Sequence, residues 1–241
     1  MSTNIDLTQS HNILAELTAT ERVAWALEHL PKNAILSTSF GIQSAVLLHM
    51  VTQVRPNIPV VFTDTGYLFE ETYQFADELT ERLRLNLHVF NANLSPAWQE
   101  TRFGKLWESG IDGMKRYNEL NKLLPMQRAI EELDCAVWFS GIRAEQSDVR
   151  QRKPFIEHST LNGRTRAHYK VYPILDWSNR KVHQYLTEYD LPYHPLWHEG
   201  YVSLGDKHST RKLELGMSEA DTRNNGLFRE CGLHEENQGG F

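Results

Sequence analysis

Cysteine is scarce in this chain, which has only Cys135 and Cys231 among its 241 residues. Two thiols cannot form a disulfide framework, and they are too few for an iron–sulfur or zinc site that uses sulfur ligands alone. Cys135 begins an apolar segment, where a free cysteine usually packs as a small hydrophobic residue. Cys231 lies in a polar stretch beside Arg229 and His234, and a neighbouring cation favours the nucleophilic thiolate. We therefore expect Cys231 to be a catalytic nucleophile with His234 as a candidate supporting group, the alternative being a surface thiol without a role.

Long hydrophobic runs are also missing. No segment approaches the roughly 20 apolar residues that cross a bilayer. The polar start at residues 1–9 lacks the basic and apolar regions of a signal peptide. We therefore expect a cytoplasmic protein that makes no contact with membranes.

Excess positive charge is missing from the chain as a whole, whose formal net charge is −6. This balance argues against a general surface for nucleic acid or anionic lipid. The segment 143–170 differs, because seven basic residues stand there against three acidic ones. The basic residues are Arg143, Arg150, Arg152, Lys153, Arg164, Arg166 and Lys170. Such a segment is either a solvated loop or a clamp for a small polyanion.

The alternation of helices and strands predicts the fold class. Apolar runs at 34–36, 59–62, 87–90, 135–139 and 168–172 predict strands, and amphipathic segments at 20–30, 69–84, 117–133 and 178–189 predict helices, with a further helix beginning near residue 45. Strands that alternate with helices indicate an α/β fold with a mainly parallel, Rossmann-like sheet and helices on both faces.

The length and the 40% hydrophobic content favour one domain over residues 1–241, with a core at about 20–200. The stretch from about 205 to 241 mixes Gly, Asn, Asp and charged residues with few apolar positions. We predict that it forms a mobile C-terminal tail that closes over a site.

A loop rich in small residues follows the first predicted strand, at positions 37–44. Backbone N–H groups at a helix N-terminus favour an anion there, and small side chains let phosphate oxygens approach. The loop is not a Walker A motif, because the Gly-Lys-Ser/Thr ending is absent. The residues that we expect around a phosphate are Ser37, Ser39, Gly41, Gln43 and Ser44. The alternative is an ordinary turn between a strand and a helix.

Two further polar loops follow predicted strands, at the sheet edge where open α/β sheets bind ligands. Asp64 and Gly66 belong to the turn Thr63-Asp64-Thr65-Gly66, in which Asp64 either accepts from a ribose or adenine donor or caps the next helix. Arg143 follows the strand at 135–139, and its planar guanidinium suits phosphate or sulfate.

His194, His198, His208 and His234 are among the histidines in the last quarter of the chain. Pro195 prevents one helix from aligning the first two, so we expect no metal site. We expect these histidines to orient the tail or to contact anions.

Five motifs together resemble the phosphoadenylyl-sulfate reductases of sulfate assimilation, in order and over nearly the whole chain. They are the loop at 39–43, the turn at 63–66, Gly141-Ile142-Arg143, the segment 172–177 with the sequence Tyr-Pro-Ile-Leu-Asp-Trp, and Glu230-Cys231-Gly232-Leu233-His234. The last motif is typical of sulfonucleotide reductases, whereas the loop at 39–43 occurs across the wider ATP pyrophosphatase, or adenine nucleotide hydrolase-like, superfamily.

The resemblance implies reduction of 3′-phosphoadenylyl sulfate to sulfite and adenosine 3′,5′-bisphosphate. It also implies a sulfonate intermediate on Cys231, electrons from thioredoxin or glutaredoxin, and a homodimer, which we expect to be cytoplasmic. Because Cys135 lies in a predicted core strand, it is a poor resolving partner and an external dithiol is needed. The resemblance also implies that four further residues bind the anionic end of the nucleotide: Lys122, Lys170, His208 and Arg211.

Some members of this family bind an iron–sulfur cluster and use adenylyl sulfate. Alignment to their four cysteine positions places Tyr117, Asn118, Asp206 and Ser209 there. We therefore predict a cluster-free enzyme without a bound cofactor, specific for the 3′-phosphorylated nucleotide, with Arg150, Arg152 and Lys153 as candidates for the 3′-phosphate.

Two rival functions remain open at this level. An ATP pyrophosphatase or adenylating enzyme shares the loop at 39–43, although Phe40 and Gln43 replace a glycine and an acidic residue of that group. A nucleotide-sensing protein without catalysis would not need Cys231.

Overall fold

The computed structural model describes residues 5–161, 163–223 and 233. Within those residues no helix combines the length and the apolar character needed to cross a membrane. The first half of the chain contains α1 (Leu7–Glu16), α2 (Ala19–His29), β1 (Ala34–Thr38), α3 (Ala45–Val54), β2 (Pro59–Asp64), α4 (Glu70–Leu83), β3 (Asn86–Asn91) and α5 (Pro96–Phe103). They are followed by α6 (Gly110–Asn118), a π-helical turn (Glu119–Leu123), α7 (Leu124–Glu132), β4 (Val137–Phe139), α8 (Asp148–Gln151), β5 (Ile156–Ser159), β6 (His168–Val171) and α9 (Asn179–Glu188).

The six strands form one sheet in the order β3-β2-β1-β4-β6-β5. All neighbouring pairs are parallel except β5 with β6, which is antiparallel. This confirms the predicted α/β class. Strand β2 lies on one side of β1 and strand β4 on the other. The loops that follow β1 and β4 therefore lead to opposite sides of the sheet, and a crevice forms at the carboxyl end of β1. Open α/β sheets bind their ligands in the crevice at such a point.

Alternate residues of each central strand pack on opposite faces of the sheet. Ala34 and Leu36 of β1 belong to the larger core cluster, together with buried residues of α2, α3, α4 and α9. Ile35 of β1 and Trp138 of β4 belong to a second cluster, with α7. Both faces are therefore covered by helices, which is why the strands are continuously apolar rather than alternating.

The predicted strands are all present, with ends that differ by up to two residues. The predicted helix at 117–133 is wrong in its extent, because α6 begins at Gly110 and a π-helical turn separates it from α7. Helices α1, α5 and α8 and strand β5 were not predicted. Helix α1 buries only Ser10 and Leu14, so it lacks a wide apolar stripe.

Two stretches outside the predicted core are packed. Leu14 of α1 is fully buried in the main cluster, although it precedes residue 20. In the predicted tail, Asp206 and Thr222 are buried, and Thr210 pairs with Arg223 in a β-bridge. Residues within 205–223 therefore pack against the rest of the domain. The mobility of the tail stays a prediction.

His194 is a core residue whose ring is neutral. Its Nδ1 accepts from the Leu196 backbone N–H at 3.2 Å, so the proton is on Nε2, which donates to Thr72 Oγ1 at 3.0 Å. The ring lies 5.1 Å from the ring of Phe75. Burial is the largest influence and lowers the pKa of His194 to about 4. His194 thus stabilises the contact with α4 rather than orienting the tail.

We expect protonation of His194 to destabilise the fold in mild acid. Its folded-state pKa lies below the ordinary value of 6.5, so the stability that the neutral ring provides is present above pH 6.5 and is lost as the pH falls toward 4. Between pH 7.5 and pH 5 the loss is about 2 kcal/mol. Urea unfolding at both pH values measures it, with His194→Asn as the comparison, because Asn keeps an acceptor and does not titrate. Equal losses in both proteins would contradict the assignment.

Candidate active site

A cavity of about 630 Å³ opens at the carboxyl ends of β1, β2 and β4. Its size is that of a site for a nucleotide-sized molecule. The loop after β1, the turns after β2 and β4, and residues 202–206 all contribute to its lining. The sheet topology therefore brings the three predicted polar loops to one place.

The loop after β1 is shaped for an anion. Phe40 has a left-handed backbone with φ 46° and is fully buried against Phe62, with ring centroids 5.0 Å apart. The burial of this ring anchors the turn and leaves the small residues around it facing the cavity. The Ser44 Oγ is buried and has no hydrogen-bond partner among the described residues. Ser37, Ser39, Gly41, Gln43 and Ser44 all line the cavity.

Arg143 is clamped in the cavity wall and ties three segments together. Its guanidinium donates to Gln43 Oε1 at 3.0 Å, to Asn179 Oδ1 at 2.8 Å and to the Trp177 carbonyl at 3.2 Å. It also pairs with Glu145 at 3.2 Å. Because the donors of Arg143 are engaged by protein groups, the side chain positions the loop after β1 through Gln43.

Lys122 projects from the π-helical turn into the cavity wall. Its ammonium lies 2.9 Å from Asp206 Oδ2 and 5.4 Å from the centroid of the Tyr117 ring. The other carboxylate oxygen of Asp206 accepts from Thr65 Oγ1 at 2.5 Å. Burial acts to raise the pKa of Asp206, but the Lys122 ammonium and the hydrogen bonds from Thr65 and Lys122 outweigh it and hold the pKa at about 2. Asp206 is therefore ionised throughout the neutral range.

Lys170 connects the sheet to the C-terminal segment. Its ammonium sits 4.4 Å above the Trp138 ring and donates to the backbone carbonyl of Leu233 at 2.7 Å. The Leu233 side chain packs on the cluster that contains Ile35 and Trp138, and it lines the cavity. Trp138 in turn donates from Nε1 to Ser37 Oγ at 2.7 Å. These contacts form a continuous chain from Leu233 to Ser37, near the carboxyl end of β1.

Comparison with known proteins identifies the family. Residues 33–212 match the model of the phosphoadenosine phosphosulfate reductase domain. Proteins named phosphoadenosine 5′-phosphosulfate reductase are similar to the chain. The one from Shewanella oneidensis is 58% identical over 231 residues, which is 96% of this chain and 92% of that protein. The one from Yersinia enterocolitica is 60% identical over 222 residues, which is 92% and 88% of the two chains.

The chain belongs to the phosphoadenosine phosphosulfate reductase family. It is thus an oxidoreductase that acts on a sulfur group.

Solved structures agree with the fold. The phosphate complex of the phosphoadenylyl-sulfate reductase from Candida auris superposes with a TM-score of 0.74 at 29% identity, covering 88% of this chain and all of that one. The FMN adenylyltransferase of Candida glabrata gives a TM-score of 0.61 at 14% identity, with 98% and 79% of the chains covered, and shows the fold alone.

Several residues predicted for the nucleotide do not line the cavity of this family member. Asp64 accepts from the Gly66 N–H and the Tyr73 hydroxyl, both at 2.8 Å, and from Asn91 at 3.0 Å, so it shapes its own turn. The alternative of a helix cap is wrong, because Phe69 occupies the N-cap position of α4 and no side chain forms a capping hydrogen bond there. Gly66 has φ +74°, and a side chain there would meet Pro96, which explains the glycine.

The basic residues predicted for the anionic end are separated by the fold. Arg150 lines the cavity, whereas Arg152 is exposed and outside its lining. Lys153 is buried elsewhere and pairs with Glu157, with both carboxylate oxygens 3.0 Å from its ammonium. Arg211 donates to the Asp221 carbonyl at 2.9 Å, also outside the cavity lining.

His208 packs against an aromatic ring, and the four positions aligned to cluster cysteines are buried. His208 stacks on Trp107 with centroids 3.9 Å apart, and burial, the largest influence, lowers its pKa to about 4. Tyr117, Asn118, Asp206 and Ser209 are all buried. Over residues 5–161 and 163–223 no group of three His, Cys, Asp or Glu side chains is arranged to hold a metal ion. Cys231 and His234 lie outside the described residues.

Arg223 is a cavity residue that the sequence patterns did not single out. Its Nη1 donates to the Leu204 carbonyl and lies 3.4 Å from Ser203 Oγ. A Cβ at Gly205 would come within 2.0 Å of the Arg223 Nη2, so glycine at this position leaves room for the guanidinium where it lies. Gly205 and Arg223 are 18 positions apart in the sequence, so the spacing of neighbouring residues could not predict their contact.

Proposed function

We propose that this chain reduces 3′-phosphoadenylyl sulfate to sulfite and adenosine 3′,5′-bisphosphate with a reduced thioredoxin or glutaredoxin as electron donor. We also propose that it acts in sulfate assimilation as a cytoplasmic homodimer. The observation that carries the reaction is the position of Leu233 in the wall of a cavity lined by Lys122, Arg150 and Arg223. Cys231 is two residues from Leu233, and two residues of chain span at most about 7 Å.

The proposed first step is attack of the Cys231 thiolate on the sulfur of the substrate. A sulfur–sulfur bond forms, and the bond between sulfur and the phosphate oxygen breaks. The leaving group is adenosine 3′,5′-bisphosphate, and the enzyme is left with a sulfonate on Cys231. The backbone N–H groups of the loop after β1 and the cavity cations stabilise the charge that develops on the phosphate oxygens.

The proposed second step needs a thiol from another protein. A donor thiolate attacks the sulfur of Cys231, sulfite leaves with the bonding electrons, and the second donor thiol reduces the resulting mixed disulfide. Cys135 cannot take this part, because it is fully buried and burial, the largest influence, raises its pKa to about 12. The two electrons therefore come from the external dithiol, and Cys231 is regenerated.

The cation that we propose for the 3′-phosphate is Arg150. It lines the cavity, and it is held by a hydrogen bond to Gln146 Oε1. Arg152, two residues further on, is exposed and outside the cavity lining. Since a 3′-phosphate is the only group that distinguishes the two sulfonucleotides of this family, a cation at the cavity gives the enzyme a means of choosing between them.

We expect purified protein with reduced thioredoxin to release sulfite from 3′-phosphoadenylyl sulfate at least about tenfold faster than from adenylyl sulfate at equal concentration. Arg150→Met should lower that preference, and Arg152→Met should leave it unchanged. If the wild-type protein used both nucleotides equally, the absence of cluster cysteines would not predict which nucleotide the enzyme prefers. Absence of sulfite from either nucleotide would contradict the proposed function and favour an ATP pyrophosphatase or a nucleotide-binding protein.

A further inference from the structure

Asp206 is a fully buried carboxylate that joins three separate segments of the chain. Thr65, in the turn after β2, donates to its Oδ1 at 2.5 Å. Lys122, in the π-helical turn, lies 2.9 Å from its Oδ2. Asp206 itself precedes the short 3-10 helix Lys207–Ser209, whose first N–H donates to the Tyr67 carbonyl at 2.9 Å. A charge at this depth costs much free energy unless it is paired and hydrogen-bonded, and both conditions are met here.

The geometry around Lys122 shows what the carboxylate does for the cavity. Lysine has a flexible four-carbon stem, so its ammonium occupies one position only where other groups hold it. The side chain of Lys122 is 17% exposed, and both it and Asp206 line the cavity. Asp206 fixes one side of the ammonium and the Tyr117 ring lies on another, 5.4 Å away. Because Lys122 lines the cavity and is not fully buried, its side chain is accessible to an anion bound there.

The local backbone supports the same conclusion. Lys122 belongs to a π-helical turn between α6 and α7, and such turns within helices are frequent at functional sites. The same turn contains Asn121, which exchanges two hydrogen bonds with Gln99 of α5, at 2.8 and 3.0 Å. The turn is thus held from both sides, and Lys122 has little freedom to leave Asp206.

We infer that Asp206 is a positioning residue that holds the Lys122 ammonium in place for the sulfate-bearing end of the nucleotide. The identity of that ligand rests on the proposed function, whereas the coupling between Asp206 and Lys122 does not. In this arrangement the cation is oriented before the substrate arrives, so no free energy of binding is used to order a long side chain.

The competing explanation is that Asp206 only stabilises the fold. A double-mutant cycle with Asp206→Asn, Lys122→Met and the combined variant separates the two. The kcat, the KM and the calorimetric Kd for 3′-phosphoadenylyl sulfate and for adenosine 3′,5′-bisphosphate are measured for each protein. We expect Asp206→Asn to lower kcat/KM by about tenfold and the combined variant to lose no more than Lys122→Met alone. The affinity for adenosine 3′,5′-bisphosphate, which lacks the sulfate, should change less than twofold.

Additive losses in the cycle, or an equal loss of affinity for both nucleotides, would overturn the inference. If the wild-type protein forms no sulfite, the proposed function fails, but the binding arm of the cycle still decides whether Asp206 acts through Lys122. Asp176→Asn is the matched control, because Asp176 also forms an ion pair, with Arg22 at 2.6 Å, but lies outside the cavity lining. It should lower stability without changing kcat/KM.

Thr65→Val provides a second route if Asp206→Asn does not fold. The change removes the hydrogen bond to Asp206 Oδ1 and keeps the size of the side chain and the buried ion pair. We expect a smaller loss of kcat/KM in the same direction, and no further loss when Thr65→Val is combined with Lys122→Met. An additive loss in that pair would also contradict a positioning role.

Discussion

We expect replacement of Cys231 by serine to lower the rate of sulfite formation by at least about 1,000-fold and to change the affinity for 3′-phosphoadenylyl sulfate little. A serine hydroxyl stays protonated in the neutral range and is a weak nucleophile toward sulfur, whereas a thiolate attacks it directly. Sulfite release under single turnover and calorimetric binding of the nucleotide measure the two effects separately. Retained turnover in Cys231→Ser would exclude the sulfonate intermediate.

The matched control for this experiment is Cys135→Ala. Cys135 is fully buried, and its thiol donates to the Val137 carbonyl at 3.4 Å. With a pKa raised to about 12, mainly by burial, the thiol remains protonated under assay conditions. We expect kcat within about twofold of the wild-type value and a modest loss of stability, of about 1 kcal/mol. If a folded Cys135→Ala protein formed no sulfite, Cys135 would take part in the reaction, and our assignment of the chemical steps to Cys231 alone would be wrong.

Replacement of Arg143 by methionine should lower the free energy of unfolding by about 2–4 kcal/mol and kcat/KM by roughly 100-fold. The change removes the donor from the buried Trp177 carbonyl and from the part-buried acceptors Gln43 Oε1 and Asn179 Oδ1. The loop after β1 then loses the contact that fixes Gln43 in the cavity wall. Urea unfolding measures the first effect and steady-state kinetics the second.

Two companion variants show whether the planar guanidinium of Arg143 is required. Arg143→Lys keeps the charge but cannot donate to several acceptors at once in one plane, so it should recover less than half of the stability that Arg143→Met loses. Arg164→Met removes an exposed arginine that pairs with Glu119 at 2.7 Å, and it should cost less than about 0.5 kcal/mol. Wild-type behaviour of Arg143→Lys would show that charge alone is enough.

Local patterns predicted the sheet well, because its central strands are apolar runs bounded by turn residues. They also predicted the loop after β1, whose residues line one cavity. The same patterns missed α1 and β5, whose sequences are mostly polar and which are held by contacts with distant segments. Helix α1 is tied to the rest of the chain by Arg22, which donates to the Leu14 carbonyl at 2.7 Å and to Asp176 at 2.6 Å.

The candidate site was predictable at the level of loops and less so at the level of single side chains. Arg150 and Lys153 look equivalent in the sequence, but a pair of carboxylate oxygens on Glu157 holds the lysine away from the cavity. Asp206 looks like one more polar residue of a tail, yet it is 1% exposed and paired with Lys122, 84 residues earlier. Whether such ion pairs form depends on the complete fold, so the spacing of residues in the sequence does not predict them.

The strand order has a consequence for the growing polypeptide on the ribosome. Strands β3, β2 and β1 are adjacent in the sheet and are all complete by residue 91, whereas β4, which covers the other edge of β1, ends at Phe139. At ordinary rates of synthesis the intervening segment takes about 2–10 s to appear. During that interval β1 presents an open row of N–H and C=O groups beside apolar side chains, which is a template for pairing with another chain. Newly made protein is therefore most exposed to aggregation between the third and fourth strands, and this is the interval in which a chaperone that covers extended apolar segments would help it most.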